Sequence, residues 1–168
     1  MGMKNRIADD INDLRIYFHK IFEVVGTSTE FSDLGHFTSY VKLDMLCNLY
    51  SCLDFWLKQI CKQKQLSLKL NLKFKDIKAD DEFAVYHKYL VKVAGVNMDD
   101  VNKEYINLQK LRVIRNSIIH AGSHAVDIKK ISDIPGVTFH ETLICVSKEY
   151  VINSIEEAEK YLLSASNA

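Results

Sequence analysis

A single proline, Pro135, and six glycines punctuate a chain of 168 residues. So few breakers argue against a turn-rich β architecture and leave room for long helices. No Cys-x-x-Cys pair occurs among Cys47, Cys52, Cys61 and Cys145, so zinc-finger and thioredoxin-type readings have no support. Three of the four lie in one apolar stretch, where buried free thiols are expected. No apolar run approaches the roughly 18 residues of a bilayer span, so no membrane partner is expected. No secretory leader is visible. The myristoylation pattern is missing as well, with Arg6 standing where Ser or Thr is required. The expected compartment is the cytoplasm. Net charge is zero, 22 basic residues against 22 acidic ones. That excludes a globally basic nucleic-acid binder and confines any polyanion site to a local patch. Arginine is scarce too, at four residues, yet Arg112 and Arg115 fall within one turn of sequence.

What is present describes an ordinary folded domain. Hydrophobic residues make up 48% of the chain and charged residues 26%, enough to bury one core over residues 1–168. Ile7, Ile11, Leu14, Phe18, Ile21, Phe22 and Val25 step by three and four, the signature of an amphipathic helix ending near Gly26. Residues 27–37 read as a loop. Thr38 or Ser39 is then suited to cap a second helix whose stripe is Val41, Met45, Leu49, Cys52, Leu53, Trp56 and Ile60. Leu43, Leu46, Tyr50 and Leu57 make that helix apolar on other sides, which places it centrally or at a subunit interface. Leu66 to Phe74 alternates strictly and reads as a strand or an extended connector. Asp80 and Asp81 suit the start of a short helix through Phe83, Tyr86, Leu90 and Val93, ended by Gly95. A fourth helix is expected from about residue 100 to His120, buried along Leu108, Leu111, Ile114 and Ile118 and stopped by Gly122. Residues 126–146 suggest a β-hairpin or flap, and Ser147 the cap of a last helix carrying Val151, Ile155, Ala158 and Leu162. The fold class is all-α: an antiparallel bundle of four to five helices with a small hairpin before the last.

The other side of the fourth helix carries the chemistry. Arg112, Arg115, Asn116, Ile119 and His120 stand at i, i+3, i+4, i+7 and i+8, one mostly polar face. Arginine offers a planar fork of donors matched to phosphate oxygens. Histidine exchanges a proton near neutral pH, and a helix C-terminus favours its cationic form. Guanidinium and imidazole together suit phosphodiester chemistry without a metal or cofactor: one stabilises the charged phosphorane, the other moves the proton. Arg115 and His120 nevertheless lie about 140° apart around the helix. A two-fold dimer that joins two copies of the helix end relieves that separation.

Leu111-Arg-Val-Ile-Arg-Asn-Ser-Ile-Ile-His-Ala-Gly122 closely resembles the signature helix of the HEPN superfamily, Arg-x4–6-His with a polar residue after the arginine. The order of helices is similar as well. Asp54, in Tyr50-Ser-Cys-Leu-Asp-Phe-Trp-Leu57, matches an acidic position that many members carry on the second long helix. The resemblance implies a helical homodimer and, in active members, metal-independent RNA cleavage, often in toxin–antitoxin, anti-phage or CRISPR systems. Other members are non-catalytic binding or scaffold domains. On this basis Arg115, His120 and Asn116 are the expected catalytic set, with Asp54 and Arg112 supporting. RNA is the expected substrate, with a homodimer and an antitoxin or defence-system protein as partners. The bland readings are a helix-end salt bridge for Arg115 and His120, local hydrogen bonding for Asn116, a pairing of Arg112 with Glu104 or another acid, and a solvated Asp54. Seven lysines between residues 58 and 78, against the one acid Asp76, form either a solvated surface or a phosphate track, with Phe74 a base-stacking candidate or a core anchor.

Overall fold

The computed structural model describes residues 2–27, 37–125 and 128–167, without the side chains of 26, 27 and 37. The loop expected at 27–37 therefore lies almost wholly outside the described residues. Five helices follow in order: α1 Met3–Thr27, α2 Phe37–Ser67, α3 Glu82–Lys92, α4 Asn102–Ala121 and α5 Lys148–Ala165. A hairpin of β1 (Val137–His140) and β2 (Leu143–Val146) stands before α5, antiparallel, with Val137 opposite Val146 and His140 opposite Leu143. The expected all-α bundle with a small hairpin is the observed fold.

Helix α2 runs 31 residues with no glycine or proline, about 46 Å at 1.5 Å per residue. It packs against α1, α3, α4, α5 and β2, which accounts for its apolar residues on several faces. Leu43, Met45, Leu46, Leu49, Leu53, Trp56, Leu57, Ile60 and Cys61 are all buried. The central reading of this helix holds. Thr38 and Ser39 lie in its first turn, not ahead of it. Ile7, Ile11 and Phe18 of α1 are fully buried against this core, and Trp56 Nε1 donates to Asp10 Oδ2 at 2.9 Å to tie α1 to α2.

The alternating stretch 66–74 forms no strand. Ser67 ends α2, a turn follows, and Phe74–Asp76 make one 3-10 turn. The stretch does connect α2 to α3, but as a helix end and a turn and not as the extended chain expected. Phe74 is buried against Tyr86, with ring centroids 5.4 Å apart, so it is a core anchor and not a base stacker.

The later elements end where their local chemistry says they should. Asp81 caps α3, its Oδ1 accepting from Ala84 N–H at 2.9 Å. Gly122 closes α4 in the left-handed region (φ 58, ψ 39), and its N–H reaches Ser117 O. Ser147 caps α5 by accepting from Tyr150 N–H. Leu108, Leu111 and Ile114 give α4 its buried edge, but in the last turn Ser117 takes the buried position while Ile118 is half-buried. The hairpin is stitched to the end of α4: Ala125 N–H donates to Thr142 O at 2.8 Å and Ile144 N–H to Ser123 O at 2.9 Å. It therefore braces the chain immediately beyond His120.

Candidate functional site

Three helices meet around a polar concavity. α2 contributes Tyr50, Ser51 and Asp54, α3 contributes Glu82, and α4 contributes Arg112, Arg115 and Asn116. Successive turns of α2 put Tyr50 and Asp54 side by side, and the 3.6-residue repeat of α4 does the same for its two arginines. Four of the five residues singled out in the sequence thus converge: Arg112, Arg115, Asn116 and Asp54 line one surface. His120, in the last turn of α4, does not line it.

Arg115 is held on two sides. Its Nη1 donates to Asn116 Oδ1 at 3.0 Å, and its Cζ sits 5.6 Å from the centroid of the Tyr50 ring, a cation–π distance. Its Nε is buried and has no hydrogen-bond partner. A buried N–H without an acceptor is costly and stays poised to take one. Arg112 pairs with an acid, as its bland reading allowed, and that acid is not Glu104. It pairs with Asp81, Nη2 to Oδ2 at 3.2 Å, and its Nε donates to Gln109 Oε1. Glu104, the acid named for that pairing, binds Lys160 across the α4–α5 contact at 2.6 Å. Asp81 therefore caps α3 with one oxygen and anchors Arg112 with the other.

Of the two carboxylates opposite, Asp54 carries the perturbed one. Burial raises the Asp54 carboxyl above its ordinary value, and the charge of Glu82 raises it further. Lys58, a Tyr86 hydrogen bond and Arg115 act the other way. Tyr86, wholly buried, donates its hydroxyl to Glu82 Oε1 at 2.7 Å. Burial likewise pushes the Tyr50 hydroxyl well above its usual range, against the pull of Arg112 and Arg115. The concavity thus combines two guanidinium groups with a carboxyl that holds its proton more readily than usual.

His120 is exposed, and its side chain takes no part in the side-chain hydrogen bonds and ion pairs among the described residues. Ile119 beside it is 49% exposed, a large apolar side chain facing solvent next to the motif. His124 faces the hairpin, Nδ1 lying 2.7 Å from Thr142 Oγ1, a structural contact. Among the described residues no group of three His, Cys, Asp or Glu gathers as metal ligands, and the cysteines are free.

Sequence reading missed Tyr50, Glu82 and Asp81 as site residues. Tyr50 was visible as an aromatic four residues before Asp54 but reads as core. Glu82 and Asp81 had only their helix-start signal. Set against known proteins, the chain matches no family model, no curated protein and no solved structure.

Proposed function

We propose that the chain is a metal-independent endoribonuclease of toxin or anti-phage defence type, acting as a HEPN-like homodimer. The observation that supports this most is the unsatisfied, buried Nε of Arg115 beside Asn116 and Arg112, on the helix whose exposed last turn carries His120. A phosphate oxygen is the acceptor that such a donor lacks. In this reading a ribose 2′-hydroxyl attacks the adjacent phosphorus, and its proton passes to the His120 imidazole of the facing copy. The bond to the 5′-oxygen breaks and that oxygen takes a proton back, leaving a 2′,3′-cyclic phosphate and a 5′-hydroxyl. Arg115 binds the phosphate and stabilises the phosphorane, Asn116 fixes the guanidinium, and Arg112, braced by Asp81, supports the same surface. Ile119 and His120 form part of the facing surfaces.

The test is purified protein on tRNA and mRNA with EDTA present. Wild type cleaves, while His120→Ala and Arg115→Ala each lose about 100-fold or more. Equal cleavage by wild type and His120→Ala, or a requirement for a divalent metal, overturns the reading. The absence of His120 from the concavity of its own protomer favours a second reading, a HEPN module that binds RNA, a nucleotide or a protein without cleaving. It predicts phosphate-dependent binding lost in Arg115→Ala, no cleavage, and normal growth on expression.

A further inference from the structure

The last turn of α2 and the connector after it present a second surface, separate from the arginine site. Of the five apolar residues that alternate through it, Leu70 packs against the core and Phe74 is buried. The other three point out: Leu66 is 79% exposed, Leu68 50% and Leu72 43%. The turn that presents them is fixed by backbone contacts. Leu70 N–H donates to Gln65 O at 2.9 Å, Lys69 adopts a left-handed φ of 51, and Tyr89 donates its hydroxyl to Leu72 O at 3.1 Å. Lys62, Lys69, Lys73, Lys75 and Lys78, interleaved with and flanking the leucines in sequence, are exposed as well. Asp76, the one acid of the stretch, is turned onto the Lys73 backbone N–H at 2.9 Å and closes the turn.

We propose that this turn docks on an anionic lipid bilayer, its leucines entering the interfacial region and its lysines facing the acidic headgroups. Leucines held out in water by an ordered backbone carry a cost that only an apolar environment removes. Lysines around an apolar tip add attraction to anionic lipid and keep the tip soluble when free. Single-stranded RNA accounts for the lysines but not the leucines. Surfaces that bind it stack bases on exposed aromatics, and the only aromatic of this turn is in the core. A protein interface fits less well, because lysine is depleted at such interfaces. A bilayer-spanning run, whose absence argued against any membrane partner, is not needed for docking on a surface.

The test is co-sedimentation of the full chain with phosphatidylcholine vesicles, with and without phosphatidylserine. Binding is expected only to the anionic vesicles and weakens as salt rises. The combined Leu66→Ser, Leu68→Ser, Leu72→Ser variant binds at least about tenfold more weakly, with unchanged circular dichroism because the three side chains are exposed. Lys69→Gln with Lys73→Gln and Lys75→Gln does the same. The proposal is overturned by no binding to anionic vesicles, or by binding that the leucine variant retains in full. A fluorescent single-stranded RNA forms the control arm. If the lysine variant loses RNA binding while vesicles are not bound, the turn is an RNA surface and the bilayer reading fails.

Discussion

Arg115 illustrates how much one side chain depends on its neighbours. Its charge comes with the residue, but its aim comes from Tyr50 beneath and Asn116 beside it. Lysine would keep the charge and lose the planar fork, so Arg115→Lys is expected to recover little of the cleavage lost in Arg115→Ala, remaining about tenfold or more below wild type. Product formation on a defined RNA measures this, and full activity of the lysine variant would contradict the role. Asp54 gives a prediction of stability. Its folded carboxyl titrates above the ordinary value of 3.8 that it has in the unfolded chain. The folded state therefore holds that proton to higher pH, and stability is lost as pH rises from the unfolded value through the folded one. Asp54→Asn removes that loss. Its melting temperature should exceed wild type at pH 7, and the difference should vanish below about pH 4. A variant less stable than wild type at pH 7 would mean that the ionised carboxylate is net favourable where it sits.

Whole elements were legible where their stabilising bonds are local. Helix α4 was read nearly to the residue because its period, its polar face and its glycine stop all lie within the segment. The ends of α3 and α5 were legible for the same reason, through Asp81 and Ser147. The stretch 66–74 carries a strand's alternation, but pairing needs a neighbouring strand, and none lies beside it among the described residues. The helix-hairpin joint yields a further test. Gly136 has φ 83, and a Cβ built there would meet Ser147 Oγ at 2.7 Å. Gly136→Ala must therefore strain the turn and disturb the oxygen that caps α5. The expected cost is about 2 kcal/mol, a melting temperature lower by roughly 4–8 °C for a chain of this size. Ser147→Ala loses the cap alone and should cost about 1 kcal/mol. Equal melting of Gly136→Ala and wild type would show that the turn accommodates the side chain.

For the whole molecule the decisive question is whether two copies share a site. Arg115 faces a concavity built by its own α2 and α3, while His120 faces out beside the exposed Ile119. If each site takes Arg115 from one copy and His120 from the other, mixing inactive Arg115→Ala and His120→Ala chains regenerates one complete site in every mixed dimer. About a quarter of wild-type cleavage should then return after unfolding and refolding together. No recovery, or a monomeric mass by light scattering at micromolar concentration, would rule out the shared site.

The amino-acid order was enough for the helices, the caps of α3 and α5 and the polar face that holds Arg112, Arg115, Asn116 and His120, because helical hydrogen bonds and spacings close within a few residues. Tertiary packing alone decided that Asp81 anchors Arg112 while Glu104 turns to Lys160, and that Asp54, Glu82 and Tyr50 surround Arg115. It also decided which leucines of the 66–74 connector reach the core. Those contacts join residues tens of positions apart. No local spacing encodes them, and they exist only once α2, α3 and α4 have packed together.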